Sequence, residues 1–100
     1  MAIQIKETNG MFKVYGHLNT ANAKILQTHL NQFSKAKNFV ILNLEKVSGM
    51  DKSAAHLLKQ LYINAIQNQR ILSIIGEKNS NILPIMNKTK TSYILSHDRV

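Results

Sequence analysis

Cysteine is absent from the 100 residues, and so is tryptophan. Without thiols, neither disulfides nor thiolate-rich zinc sites can hold the fold, so its stability has to come from packing. One proline and four glycines leave no room for collagenous or low-complexity segments. No apolar run approaches the ~18 residues of a membrane span. The opening MAIQIKETNG lacks the basic flank and apolar block of a secretion signal, which makes the cytoplasm the expected location. Acidic residues are scarce as well: five Asp and Glu against thirteen Lys and Arg give a formal net charge of +8. Such a charge attracts nucleic acid, anionic lipid or acidic protein without choosing among them. The cations are spread from Lys6 to Arg99, with no run of five or six, as expected of a solvated basic surface and not of a clustered nucleic-acid groove.

What is present reads as one folded domain over residues 1–100, 44% hydrophobic and 18% charged. Ile3-Gln4-Ile5-Lys6 alternates with period two, Asn9-Gly10 supplies a turn, and Met11-Phe12-Lys13-Val14-Tyr15 resumes the strand pattern, predicting a hairpin. Asn19 or Thr20 can cap a helix over Ala21–Lys35, whose Ala23, Leu26, Leu30 and Phe33 recur at helical spacing. Phe39–Leu44 is a short continuous apolar run suited to a central strand. Glu45–Met50 reads as a loop. Asp51 can cap a second helix striped with Ala54, Leu57, Leu58, Leu61, Tyr62, Ala65 and Ile66. Arg70–Ile75 is a further strand, Asn79-Ser80 opens a short third helix with Pro84 in its first turns, and Tyr93–Ser96 reads as a last strand. The order β-β-α-β-α-β-α-β predicts an α/β fold with a mixed sheet, in which helical crossovers follow the hairpin.

Catalytic chemistry finds little support. His17, His29, His56 and His97 form no pair at metal-ligand spacing, so no metal is expected. The carboxylates are never close in sequence, and Gly10, Gly16, Gly49 and Gly76 stand alone, without the run that cradles phosphate. Ser53 follows a strand-to-helix loop but lacks the flanking glycines of a nucleophile elbow. No cofactor and no enzymatic activity are expected. Nucleic-acid binding is disfavoured too, because Phe12, Phe33, Phe39 and Tyr62 lie on stripes assigned to the core.

The informative stretch is Val47-Ser48-Gly49-Met50-Asp51-Lys52-Ser53-Ala54-Ala55. Taken with Val14-Tyr15-Gly16-His17-Leu18, Val40-Ile41-Leu42-Asn43-Leu44-Glu45-Lys46-Val47 and Leu72-Ser73-Ile74-Ile75-Gly76, in order and at fitting spacing, it resembles the STAS domain. That family includes bacterial anti-sigma-factor antagonists, cytosolic tails of sulfate-type anion transporters, and the small subunit of a lipid-trafficking ABC transporter. The resemblance implies a mixed sheet with helices mostly on one face and a binding surface around the start of the second helix. Family members often end in a further helix, for which this sequence stops too early. They usually carry Asp, then a Ser or Thr that accepts phosphate from a partner kinase; here Lys52 occupies the acceptor position, Ser53 falls one place later, and Ala54 replaces a glycine.

Asp51 is therefore open to two readings, helix cap and partner contact, and Lys52 likewise, a solvated cation or a fixed charge facing an acidic partner. The expected partner surface comprises Ser48, Gly49, Met50, Asp51, Lys52, Ser53 and His56, with Leu57 beneath it and Ser53 the nearest candidate phosphoacceptor. The function that the resemblance implies is a non-enzymatic, anti-sigma-factor-antagonist-like interaction module, docking to a regulatory protein such as an anti-sigma-factor kinase without the usual phosphorylation switch. The alternative is the small subunit of a phospholipid ABC transporter, bound to its ATPase.

Overall fold

A computed structural model describes residues 3–34 and 38–97. Strands β1 (Gln4–Thr8) and β2 (Met11–Leu18) form the expected antiparallel hairpin, Thr8 facing Met11 across a two-residue turn. Asn9 and Gly10 take φ of 51° and 86°, the left-handed pair that a right-twisted hairpin needs and that Asn-Gly supplies at least strain. The Gly10 amide donates to the Glu7 carboxylate at 3.0 Å. Helix α1 (Thr20–Ser34) follows, then β3 (Phe39–Asn43), β4 (Val47–Met50), α2 (Lys52–Gln67), β5 (Ile71–Ile75), α3 (Leu83–Lys88) and a 3-10 turn at Ser92–Ile94. The expected last residue of α1, Lys35, and the tail 98–100 lie outside the described residues.

The five strands form one mixed sheet in the order β1-β2-β3-β5, with β4 paired to β2. β3 runs parallel to the first half of β2, β4 parallel to its end, and β5 parallel to β3. Two departures from the expected order stand out. Residues 47–50, read as loop, form β4, because Val47 and Met50 bury their side chains while the backbone completes β2. Tyr93–Ser96, read as a strand, is a 3-10 turn followed by one parallel bridge, Ile74 to Leu95, with the Ser96 amide donating to the Ile74 carbonyl at 2.6 Å. Asn79 precedes the third helix by a turn, and the helix itself begins at Leu83 with Pro84 in its first turn, where the missing N–H matters least.

Burial alternates along the first part of β2 and along β3 as a one-sided sheet requires. Phe12, Val14, Val40 and Leu42 face the core, where α1 contributes Ala23, Leu26 and Leu30 and α2 contributes Ala54, Leu58 and Leu61. Phe12 and Phe33 meet edge to face, ring centroids 5.0 Å apart, fastening α1 over β2. The opposite face presents Lys13, Phe39, Ile41 and Ile71 and carries no helix among the described residues. Phe39 thus departs from the core assignment: it is 51% exposed, because the strand parity that buries Val40 and Leu42 turns Phe39 outward.

Candidate functional site

The last two residues of β2 organise the starts of both long helices. The Leu18 carbonyl accepts from the Asp51 amide at 3.0 Å, linking β2 to the residue that caps α2. The Asp51 side chain, on extended backbone, accepts the Ala54 amide at 2.9 Å, satisfying one of the free donors of the first helical turn. One position upstream, the His17 carbonyl accepts from the Asn22 amide side chain at 2.8 Å. Asn22 and Asn19 cap α1 reciprocally: the Asn19 amide donates to Asn22 Oδ1 at 2.8 Å, and the Asn22 amide to Asn19 Oδ1 at 3.0 Å. Of the two candidate caps of α1, Asn19 holds the position.

The loop that leads into β4 is tied down from within. The Asn43 side chain accepts the Glu45 amide at 2.9 Å, and the Val47 amide returns to the Leu44 carbonyl at 3.1 Å. Buried Asn79 donates its side-chain amide to the carbonyls of Leu44 and Val47, both at 2.8 Å. The turn ahead of α3 thereby anchors the approach to the site, through a residue that sequence spacing assigns only to a helix boundary.

The expected surface residues do not all reach the surface. Ser48, Lys52, Ser53 and His56 are exposed, and Gly49 and Asp51 half-buried, forming a continuous segment from β4 into α2. Met50 is a correction: at 7% exposure it packs in the core beneath the segment, because the register shift from Gly16–Val47 to His17–Gly49 leaves Ser48 as an extra residue and so lets Val47 and Met50, three apart, both turn inward. Leu57 packs against the core from the helix side, as expected of a supporting residue. Lys52 and His56 lie four apart and share one face of α2, whereas Ser53 is turned by ~100° from Lys52 around the helix.

One residue of this surface escapes the sequence reading. His17 stands opposite Gly49 in the β2–β4 register, next to an irregularity between Gly16 and His17, and its exposed ring lies directly over that glycine. A β-carbon on Gly49 would come within 2.6 Å of His17 Nδ1. Gly16, at φ 107°, supplies the left-handed backbone at the irregularity. The signal available beforehand was the Gly-His pair itself, which has no meaning until β4 is known to exist.

Chemically, the arrangement offers an ordered backbone edge with hydroxyls, two imidazoles and an exposed ammonium group, and its one carboxylate is engaged in capping. Among the described residues, no group of three His, Cys, Asp or Glu side chains is placed to hold a metal ion. No helix among them is long and apolar enough to cross a membrane.

The sequence profile of the STAS domain matches residues 1–93. No curated protein sequence matches the chain. Among solved structures, the anti-sigma factor antagonist SpoIIAA in its unphosphorylated form is similar over 95% of this chain and 86% of its own, with a TM-score of 0.70 at 14% identity. A structure of Mglu is similar over 80% of this chain, at a TM-score of 0.62 and 16% identity, but this chain spans only 20% of that one. Likeness at such identities is one of fold, a mixed sheet with three helices. With a profile match along nearly its whole length and the fold to go with it, the chain belongs to the STAS domain family.

Proposed function

We propose that the chain is an anti-sigma-factor-antagonist-like interaction module that docks to a regulatory protein through Ser48, Gly49, Asp51, Lys52, Ser53 and His56, with His17 added to that surface and Met50 and Leu57 supporting it. It acts by binding and not by catalysis, and it lacks the usual phosphorylation switch. The observation that carries this reading is Lys52, exposed in the first turn of α2 directly after the capping Asp51. A cation there opposes the positive end of the helix dipole, typically by about 0.3–1 kcal/mol, and an acidic partner surface would offset that. Lysine has no hydroxyl to phosphorylate, and Ser53 points along a different direction from the same helix.

The same residue favours a second reading, the small subunit of a lipid-trafficking ABC transporter bound to its ATPase, since a constitutive subunit needs no switch. Affinity capture from the native cell extract, run with the wild-type chain and with Lys52→Glu, separates the two. An ATPase-fold kinase retained by wild type and lost with the variant supports the regulator, and an ABC ATPase supports the subunit. Partners equally retained by both chains would remove this surface from consideration. Lys52→Glu is expected to weaken capture more than Ser53→Ala, and intact-mass measurement of the native protein is expected to show no stoichiometric phosphate on this segment.

A further inference from the structure

A second surface lies on the other side of the sheet, away from the start of α2. Parallel strands are ordinarily covered on both faces. Here β3 and β5 pair in parallel, and their outer face bears no helix among the described residues. In register on that face, Phe39 opposes Ile71, 51% and 62% exposed, with half-buried Ile41 and Met11 paired beside them. A groove beside this patch follows the β5 edge past Ser73 to Leu95 and reaches round that edge to Tyr62 of α2.

The same face is basic farther along the strands. Lys6 and Lys13 are directly opposite each other in the hairpin register, and both are exposed. Like charges placed so are mutually destabilising. The strand residues of this face include no Asp or Glu: parity puts Glu7 on the other side of β1, facing Phe12, and its carboxylate is bonded to the Gly10 amide. The Lys6 ammonium leans over the Tyr15 ring, 5.6 Å from its centroid, and forms no ion pair among the described residues.

The face is thus divided, apolar at one end and cationic at the other. We infer that it is a docking site for an acidic amphipathic helix of a protein partner, whose apolar stripe covers Met11, Phe39, Ile41 and Ile71 and whose carboxylates sit between Lys6 and Lys13. An elongated ligand lying diagonally across the strands, from β5 and β3 to β2 and β1, matches both ends at once. A membrane would meet both ends at one depth, and single-stranded nucleic acid would lack adjoining platforms, since Phe39 is flanked by aliphatic side chains and the Tyr15 ring already carries Lys6. The inference is independent of the α2 surface.

Titration of the isotope-labelled full chain with three probes, followed by amide chemical shifts, tests it. The probes are a helical peptide with a leucine stripe and glutamates in its last two turns, the same peptide with lysines for glutamates, and phosphatidylcholine vesicles containing phosphatidylserine. The acidic peptide is expected to bind saturably, shifting β1, β2, β3 and β5 amides. Lys6→Glu combined with Lys13→Glu should weaken it by about 10-fold, and Ile71→Ser by a similar factor, whereas Lys52→Glu should leave it unchanged. Equal binding of the basic peptide, binding only to vesicles, shifts confined to α2, or shifts that depend on protein concentration without peptide would each overturn the assignment. So would no binding by any probe.

Discussion

At the scale of single residues, buried Asn79 ties together parts of the chain 32 and 35 residues apart. Its side-chain oxygen also accepts the Asn81 amide, so the group is fully engaged. Asn79→Ala would take this donor from the Val47 carbonyl and from the Leu44 carbonyl, which keeps the Val47 amide, and a buried group left unsatisfied costs about 1–3 kcal/mol. Urea denaturation is expected to show a loss of that order, with a disturbed β4. Two glycines make a matched pair. Adding a β-carbon at Gly76 brings it to 3.1 Å from Ile82 and 3.3 Å from Leu44, inside a closed core. Gly76→Ala should destabilise by about 1–3 kcal/mol, the usual range for overpacking. Gly49→Ala meets only the ring of exposed His17, which can swing away, so its stability should stay within about 0.5 kcal/mol of wild type. The His17 ring resonances should nevertheless move. A Gly49→Ala variant as unstable as Gly76→Ala would mean that the His17 ring is held in place and cannot swing away. None of these roles is legible in sequence, because each depends on a neighbour distant along the chain. The capping of α2 by Asp51 is legible, because cap and helix are adjacent.

At the scale of elements, both α2 and α3 end in the same six-residue closure. After α2, the Arg70 amide donates to the Ala65 carbonyl at 2.8 Å and the Gln69 amide to Ile66 at 3.0 Å, with Gln69 at φ 59°. After α3, the Thr91 amide reaches Met86 at 2.8 Å and Lys90 reaches Asn87 at 3.2 Å, with Lys90 also at φ 59°. This closure normally uses glycine at the left-handed position. A side chain there costs about 1–2 kcal/mol, part of which glycine gives back through the entropy of the unfolded chain. Gln69→Gly and Lys90→Gly should therefore each stabilise by about 0.5–1 kcal/mol and add when combined. Thermal or urea unfolding checks this, and a loss in either variant would indicate that the long side chain packs usefully. Elements with a strong local signal are the ones sequence reveals: the Asn-Gly hairpin, the stripes of α1 and α2, and the apolar runs of β3 and β5. β4 is hidden because Val47-Ser48-Gly49-Met50 has only two apolar residues and becomes a strand by completing β2. Tyr93–Ser96 has strand-like composition, yet among the described residues it pairs with the sheet through one bridge, Leu95 to Ile74.

At the scale of the whole molecule, thirteen Lys and Arg against five Asp and Glu make self-repulsion a standing burden on the folded state. Raising sodium chloride from about 10 to about 150 mM shortens the screening length from about 30 to about 8 Å. Stability should rise by about 1 kcal/mol, which in a domain of this size is a Tm increase of about 4–8 °C. A Tm that falls with salt would show that attractive pairs outweigh the repulsion. Lys6→Gln, which relieves the facing pair with Lys13, should reduce this salt response. The same strand that carries Lys13 has another property, because β2 is hydrogen-bonded to β1, β3 and β4 at different points along its length. Its amides bonded to these neighbours should exchange with solvent only through global unfolding, the slowest in the molecule. His17 and Leu18, which position the capped start of α2, belong to that slowest unit. A protein docking there as proposed would meet a frame that is already ordered, so the heat-capacity change of association should follow the area covered, without the added contribution of a folding segment. The encounter rate should then be governed by collision and charge.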